Sequence, residues 1–387
     1  LHRNPLQDLR RLQAKLVLQM ILMSVLQTPF TLRTALTFEQ HDSQGDADSS
    51  IGTDTESSTA SVSASILEYR RSLGRTYHSD KFTANYCFPN DDQQVESMDL
   101  THHYLTLLLD GELFLAPIKT DSIQRVLDVG TGSGELDNSP SGSLLTASQE
   151  SGLCMAFRRV RKCRLLTVYR EFADRYPSTE VIGTDLSPCQ PQWVPPNLRF
   201  EIDDATQPWT WKEDYFSFIH IRYLFGAIKD WNSLFEEAYR CCAPGGWVQS
   251  GEADVTFRSD DGTTELEPVF KTYQKLFEDG SRILGNPFFV HDLQLKAFKE
   301  AGFKDVETVD YKFPIGGWPK DPKLAEVGRF VKATLENDLE GYTLMMWQDV
   351  CRWPQEEYEV SLMSLRKAIR NPKVHSYMTV RYVYGRK

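Results

Sequence analysis

Residues 128–134 read DVGTGSG, and three further acids, Asp185, Asp203 and Asp204, stand downstream in the short motifs TDL and DDAT. Gly130, Gly132 and Gly134 alternate with two small hydroxyl residues, so the backbone here is free to take φ angles closed to other residues and to approach a ligand closely. The preceding run, RVLDV, reads as a strand, which places the turn at a strand end. A dinucleotide site wants G-x-G-x-x-G, with its third glycine inside the following helix and a pyrophosphate on the helix N-terminus. Glu135 occupies that third position and would repel a pyrophosphate. The pattern D-x-G-x-G-x-G, led by Asp128, suits instead a ligand that carries an ammonium and a sulfonium, S-adenosylmethionine. Asp185 closes the second strand run, EVIGTDL, where a carboxylate can accept from both ribose hydroxyls. Asp204, after the third run RFEIDDA, is placed to accept from the adenine amino group, with Asp203 beside it. Each acid alone reads equally as a turn or helix cap. At successive strand ends around a topological switch point they make a cofactor site.

Transfer of a methyl group from a sulfonium is an in-line displacement in which the cofactor carries the activated group. The protein contributes proximity and alignment, and for a hydroxyl acceptor a base within hydrogen-bond reach. His220 and Arg222 in the fourth strand run, FSFIHIRYL, are the catalytic candidates, expected at the rim where an acceptor enters. His220 reads equally as a satisfied histidine in a packed strand. Glu252 and Asp254, after the fifth run GWVQSGEA, read as structural caps or as further candidates. No metal is expected, since the cofactor claims the available acids.

Strand runs alternate with helical runs beyond residue 124, which predicts a mostly parallel sheet with helices on both faces. Upstream, residues 66–73 and 98–115 have helical spacing, separated by a polar segment dense in aromatic residues. Residues 231–242 have helical spacing and stop at Pro244-Gly245-Gly246. Further helices are expected over 266–284, 291–301, 323–338 and 356–369, with strands at 306–313 and 377–384. The helices form a cap over the sheet and the strands its far edge. Trp318, Phe330, Met345, Met346 and Trp347 in that cap are expected to wall an acceptor pocket, or simply to be core.

At 387 residues the chain can bury a large core. The expected organisation is a helical extension over 1–38, a disordered Ser/Asp-rich linker over 39–65 and one elaborated domain over 66–387. The apolar run 16–26 is interrupted by Gln19 and is shorter than a membrane span. Its flanking arginines leave a secretory or organelle signal open as well. Lys and Arg number 43 against 54 Asp and Glu, a net charge of −11. That field repels nucleic acid and anionic membrane, so neither is expected as a direct partner. Seven cysteines without a C-x-x-C pair read as reduced intracellular thiols.

The runs RVLDVGTGSGE, EFADRYPSTEVIGTDLSPCQPQWVPPNLRFEIDDAT, FIHIRYLFGAIKDW and CCAPGGWVQSGEAD resemble the class I S-adenosylmethionine-dependent methyltransferases. GRTYHSDKFTANYCFPND upstream and VHSYMTVRYVYGRK at the end are similar to the fungal LaeA-type group within them. The resemblance covers residues 66–387 apart from 136–170, and it implies an α/β, Rossmann-like sheet with helices on both faces and a helical cap. It also implies that Asp128, Gly130, Gly132 and Gly134 surround the methionine moiety of the cofactor, Asp185 the ribose and Asp204 the adenine. Residues 75–78, RTYH, look like the family's lid, where Tyr77 and Tyr86 would flank the sulfonium by cation–π contact, or Tyr77 would pack on a helix. The implied activity is methylation of a small-molecule acceptor in fungal secondary metabolism by a cytoplasmic or nuclear protein. Two alternatives stand beside it. One is a nuclear LaeA-like regulator of secondary-metabolite genes working through a protein partner such as a velvet protein. The other is a pseudoenzyme whose cofactor site is disrupted by residues 136–170. That insert parts the glycine turn from the helix that should follow it, and its basic run FRRVRKCR (157–164) reads as a solvent loop, a nuclear signal or a nucleic-acid patch.

Overall fold

The computed structural model describes residues 69–79, 86–119, 121, 123–132, 168–188 and 194–387. The expectations placed on 1–38, 39–65, Gly134 and the insert up to residue 167 lie outside the described residues. Where a helix was expected over 66–73, strands β1 (Arg70–Ser72) and β2 (Arg75–Tyr77) form an antiparallel hairpin. Its two turn residues, Leu73 and Gly74, both take positive φ, 53° and 79°, the geometry that matches the twist of a tight hairpin. Helix α1 (Asp92–Leu108) follows, with Asp91 at its N-cap accepting from the Gln94 amide at 3.3 Å.

The central strands form because short runs of Val, Ile, Leu and Phe, buried on both faces, are separated by polar turns. In chain order they are β3 (Arg125–Val129), α2 (Val168–Arg175), β4 (Glu180–Asp185), β5 (Leu198–Ile202), β6 (Phe216–Arg222), α3 (Trp231–Cys241) and β7 (Cys242–Arg258). Then come α4 (Val269–Leu284), α5 (His291–Glu300), β8 (Lys304–Pro314), α6 (Pro322–Met345), α7 (Gln355–Arg370) and β9 (Tyr377–Arg386). The seven-stranded sheet has the order β5-β4-β3-β6-β7-β9-β8. Strands β5 to β7 are mutually parallel, while β9 runs antiparallel to both β7 and β8. The chain winds outward from β3 in one direction and resumes at β6 in the other. The crevice of the fold therefore opens at the carboxyl ends of β3 and β6.

Helices α3 and α5 cover one sheet face, with Phe235 and Phe298 packed at 4.3 Å between ring centroids. Helix α2 and the segment 113–116 cover the other, where Phe172 stacks near Phe218. Strands β7 and β9 run on past the end of β6, and α1, α4, α6 and α7 pack on that extension as a helical cap. Helix α6 does not end at residue 338 as the sequence suggested. Asp338 breaks the helical geometry (φ −138°, ψ 45°) and its Oδ1 accepts from the Gly341 amide at 3.0 Å, so it caps a second helical stretch that continues the first. Arg75 of the hairpin reaches both this carboxylate and that of Asp91, which ties β2 to α1 and α6. Among the described residues no helix is long and apolar enough to cross a membrane.

Candidate functional site

The glycine turn leaves β3 through two backbone bonds to β4: the Gly130 and Thr131 amides donate to the Thr184 carbonyl at 2.8 and 3.0 Å. Gly130 and Gly132 have φ of 71° and 69°. A Cβ on Gly132 would stand 2.3 Å from Met98 Cε on α1, and one on Gly130 2.6 Å from Leu224 Cδ2. The positive φ favours glycine at both positions, and a side chain there would also have to displace Met98 or Leu224. Asp185 holds the turn from below, its Oδ2 accepting from the Gly132 amide at 2.9 Å and its Oδ1 from the Ser187 amide at 3.0 Å. Burial raises its carboxyl above the usual range despite these bonds. Asp203 accepts from the Asp204 amide, and burial raises its carboxyl too. Asp204 Oδ1 accepts from the Thr206 amide and hydroxyl at 2.9 and 2.6 Å, so part of this carboxylate closes a loop of its own.

These groups form one end of a cavity of about 250 Å³ that extends beneath the cap. Gly130, Gly132, Asp185, Asp203 and Asp204 line the strand-end side; Tyr104, Tyr223, Tyr273, Phe313, Tyr342 and Met378 line the cap side. Asn90 and Gln94, at the head of α1, roof the strand-end side, with Asn90 Nδ2 donating to Ser187 Oγ at 3.2 Å. Their amide oxygens are buried and have no partner among the described residues. A cradle of glycine backbone, buried carboxylates and unclaimed amide oxygens suits a ligand bearing an ammonium, ribose hydroxyls and an exocyclic amine. The residues present fit S-adenosylmethionine.

Several expectations need correction. Asp128 and His220 do not line the cavity. They are register partners on adjacent parallel strands, so their side chains meet on one sheet face, with His220 Nδ1 2.6 Å from Asp128 Oδ1. That bond orients a buried histidine below the turn, outside the residues that line the cavity. Arg222, two residues on and on the same side of β6, does reach the cavity. Tyr77 is fully buried in the cap core beneath Arg70, 5.3 Å from its ring centroid, while the next residue, His78, lines the cavity with Tyr86. Alternation along the extended chain sends these neighbours to opposite sides. None of Trp318, Phe330, Met345, Met346 and Trp347 lines the cavity; the last four are cap core and Trp318 is partly exposed. Asp254 accepts from the Thr256 amide and pairs with Arg258, a cap within its own strand. Sequence reasoning missed Gln94, Thr101, His102 and Tyr104. Their signal is polar side chains recurring at helical spacing on the buried face of α1.

On the cap side, Tyr223 sits at φ 58° with its amide donating to Gly251 O at 3.1 Å and its hydroxyl 3.0 Å from that of Tyr104. Such a strained residue persists only where its surroundings hold it. Part of that hold is Glu252, fully buried, whose Oε2 accepts from the Phe225 amide at 3.0 Å. Burial outweighs these bonds and pushes the Glu252 carboxyl up to about 8. Burial likewise pushes His102 down to about 4; its Nδ1 takes an Arg222 N–H at 3.2 Å and its Nε2 lies 3.9 Å from Glu171 Oε2.

The two shifts oppose each other in acid and separate above it. A raised Glu252 contributes stability that is complete below its unfolded value, near 4.5, and is lost as pH rises through about 8. A depressed His102 contributes stability that is present above 6.5 and lost as pH falls through about 4. Between pH 6.5 and 8 only the Glu252 effect remains of the two. Urea denaturation of Glu252→Gln, which copies the protonated carboxyl, should therefore remove a decline of up to about 1.4 kcal/mol per pH unit in that window. Equal slopes in the variant and the parent would show that Glu252 is ionised throughout.

The strand order, the reversed final strand and the glycine turn at the switch point define a Rossmann-like methyltransferase. The methyltransferase domain family model matches residues 100–308, and the chain belongs to the class I S-adenosylmethionine-dependent methyltransferases, in their fungal LaeA-type group. It is 30% identical over 324 residues to the methyltransferase pytC of Aspergillus terreus, covering 84% of this chain and 89% of pytC. It is 27% identical over 312 residues to the secondary metabolism regulator LAE1 of Cochliobolus heterostrophus, covering 79% and 91%. It is 24% identical over 322 residues to the protein-methionine methyltransferase laeA of Emericella nidulans, covering 83% and 77%. S-adenosylmethionine is the cofactor of this class and of this chain.

Proposed function

We propose that the chain methylates a small-molecule acceptor in fungal secondary metabolism, with the domain over 66–387 supplying both binding sites. The observation that carries this reading is a single cavity that joins the glycine turn and strand-end acids to an aromatic compartment under the cap. Donor and acceptor bound at its two ends would meet without crossing solvent, the condition for proximity to lower the barrier. When bound, the cofactor supplies the activated methyl group. Gly130 and Gly132 would receive its methionine portion, Asp185 the ribose hydroxyls, and Asp203 and Asp204 the adenine end. Asp128 would act through His220 and the sheet, as a positioning residue. The aromatic wall would exclude water and orient an apolar acceptor. A LaeA-like regulatory role in the nucleus draws its support from the names of relatives alone.

Calorimetric titration with S-adenosylhomocysteine tests the reading. Micromolar binding is expected in the full chain, weakened about 10-fold to 100-fold in Gly132→Val, where a side chain must displace Met98 and take up a disfavoured φ, at roughly 1–3 kcal/mol. Absence of binding by a folded parent chain would leave the pseudoenzyme in its place.

A further inference from the structure

We infer that the acceptor reacts as an oxyanion, an acidic enol or phenol that has already lost its proton, and that Arg222 is its counter-ion. The inference rests on the methyltransferase reading and names the substrate class of the same site.

Arg222 ends β6 half-buried on the cavity wall. It donates a hydrogen bond to a neutral acceptor, His102 Nδ1, at 3.2 Å, and among the described residues no carboxylate forms an ion pair with it. A partly desolvated guanidinium without a carboxylate is costly, and a ligand oxyanion removes that cost while using the planar fork. Titratable groups close to it come from several elements: His102 and Tyr104 from α1, Tyr223 after β6, Glu252 from β7 and Tyr382 from β9, with Glu171 of α2 beyond His102; His78 and Asp99 also line the cavity. Tyr223, the next residue, and Tyr104, bonded to it, line the cap side of the cavity, which places Arg222 on the acceptor side.

None of the groups next to Arg222 is suited to remove a proton from the acceptor. Burial holds His102 down to about 4 and its Nδ1 already accepts from Arg222. Burial raises the hydroxyls of Tyr104 and Tyr223, which bond to each other. Glu252 does not line the cavity and turns its carboxyl to backbone amides. His220 is held by Asp128 and does not line the cavity. An acceptor that brings its own acidity needs no base from these groups, and Arg222 lowers the energy of the ionised form. An amine held as an ammonium would meet a fixed cation here. In the transfer, the acceptor oxyanion forms an O–C bond as the carbon–sulfur bond breaks and its electron pair goes to sulfur. Anion and sulfonium become neutral ether and thioether, with no proton to move.

The probe is 7-hydroxycoumarin, whose neutral and ionised forms differ in absorbance. It is titrated across pH into the full chain saturated with S-adenosylhomocysteine, beside Arg222→Met, Arg222→Lys and the isosteres 7-methoxycoumarin and 7-aminocoumarin. The bound probe should ionise about 1–3 pH units below the free one. The shift should vanish in Arg222→Met and partly return in Arg222→Lys, and both isosteres should bind about 10-fold more weakly or worse. A shift that survives in Arg222→Met overturns the inference, as does a chain that takes up S-adenosylhomocysteine and no ionised probe. A second arm compares S-adenosylhomocysteine with 5′-methylthioadenosine, which lacks the carboxylate. Arg222→Met should change neither affinity more than about 3-fold. Loss of the first alone would assign Arg222 to the cofactor carboxylate and overturn the inference. If the parent chain fails to bind S-adenosylhomocysteine at all, the methyltransferase reading itself fails, which is a different result from loss of the probe's shift alone.

Discussion

Asp185→Ala should weaken S-adenosylhomocysteine binding by about 100-fold or more, because charge-assisted bonds worth roughly 1.5–3 kcal/mol each are lost from both the turn and the ligand. In the structure both carboxylate oxygens are already engaged, one by the Gly132 amide and the other by the Ser187 amide. Their remaining lone pairs are what the proposed ribose contact would use. The residue thus has two tasks, fixing the glycine turn and receiving hydroxyls, and removing it disturbs both. Asp185→Asn separates them. It keeps one acceptor oxygen but turns an NH₂ group toward an amide donor, so an intermediate loss of about 10-fold is expected. Calorimetry on both variants checks the effect, with the ligand-free melting temperature reporting whether the turn still folds. Parent-like affinity in a folded Asp185→Asn and Asp185→Ala would remove the ribose from this carboxylate.

Arg75→Met should lower the stability of the domain by about 3–5 kcal/mol, the range for stranding a buried charge. Arg75 donates to both oxygens of Asp338, at 2.7 and 2.9 Å, and to both oxygens of Asp91. The Asp338 side chain is 0% exposed, so without Arg75 it has neither water nor a counter-ion. Asp91 is the N-cap of α1, and α1 roofs the cofactor end through Asn90 and Gln94. The same variant should therefore also weaken S-adenosylhomocysteine binding. Although burial alone would raise the Asp91 carboxyl, the hydrogen bonds and charge of Arg75 hold it below the usual range. A depressed carboxylate contributes stability above its unfolded value, near 3.8, that is lost as pH falls through its lower folded value. Urea denaturation of Arg75→Met, Asp338→Leu and the double variant completes a cycle. The double variant should recover much of the loss, since an apolar pair can replace a buried ionic one. Additive losses would show that the two residues do not depend on each other.

What this sequence settles by itself is local. A glycine turn behind an apolar strand, an Asp at the next strand end and a helical run over 231–242 that stops at Pro244-Gly245-Gly246 can each be read from neighbours within a few residues. Conformational preference at Gly130 and Gly132, and the two-residue period of β6, need no distant partner to be stated. The family resemblance draws on the same local runs, which is why the fold class follows from them. The hairpin at β1 and β2 reads as helix in the sequence because its strands, RRS and RTY, are three residues each and mostly polar, too short to carry a two-residue period.

Only the tertiary structure decides which of those side chains share a space. His220 and Asp128 are 92 residues apart, and it is the register of β6 against β3 that joins them and removes both from the cavity wall. Tyr104 meets Tyr223, and Arg222 meets His102, only because α1 packs across the ends of the parallel strands. Asp338 breaks its helix and receives Arg75 from a hairpin 263 residues earlier. The cap aromatics, apolar in either setting, gave no indication of which would face the cavity and which the core. Backbone preference is a property of a short window, whereas register and helix packing depend on the burial of many distant residues at once. The cofactor end of the site is built mostly from the first and the acceptor end from the second.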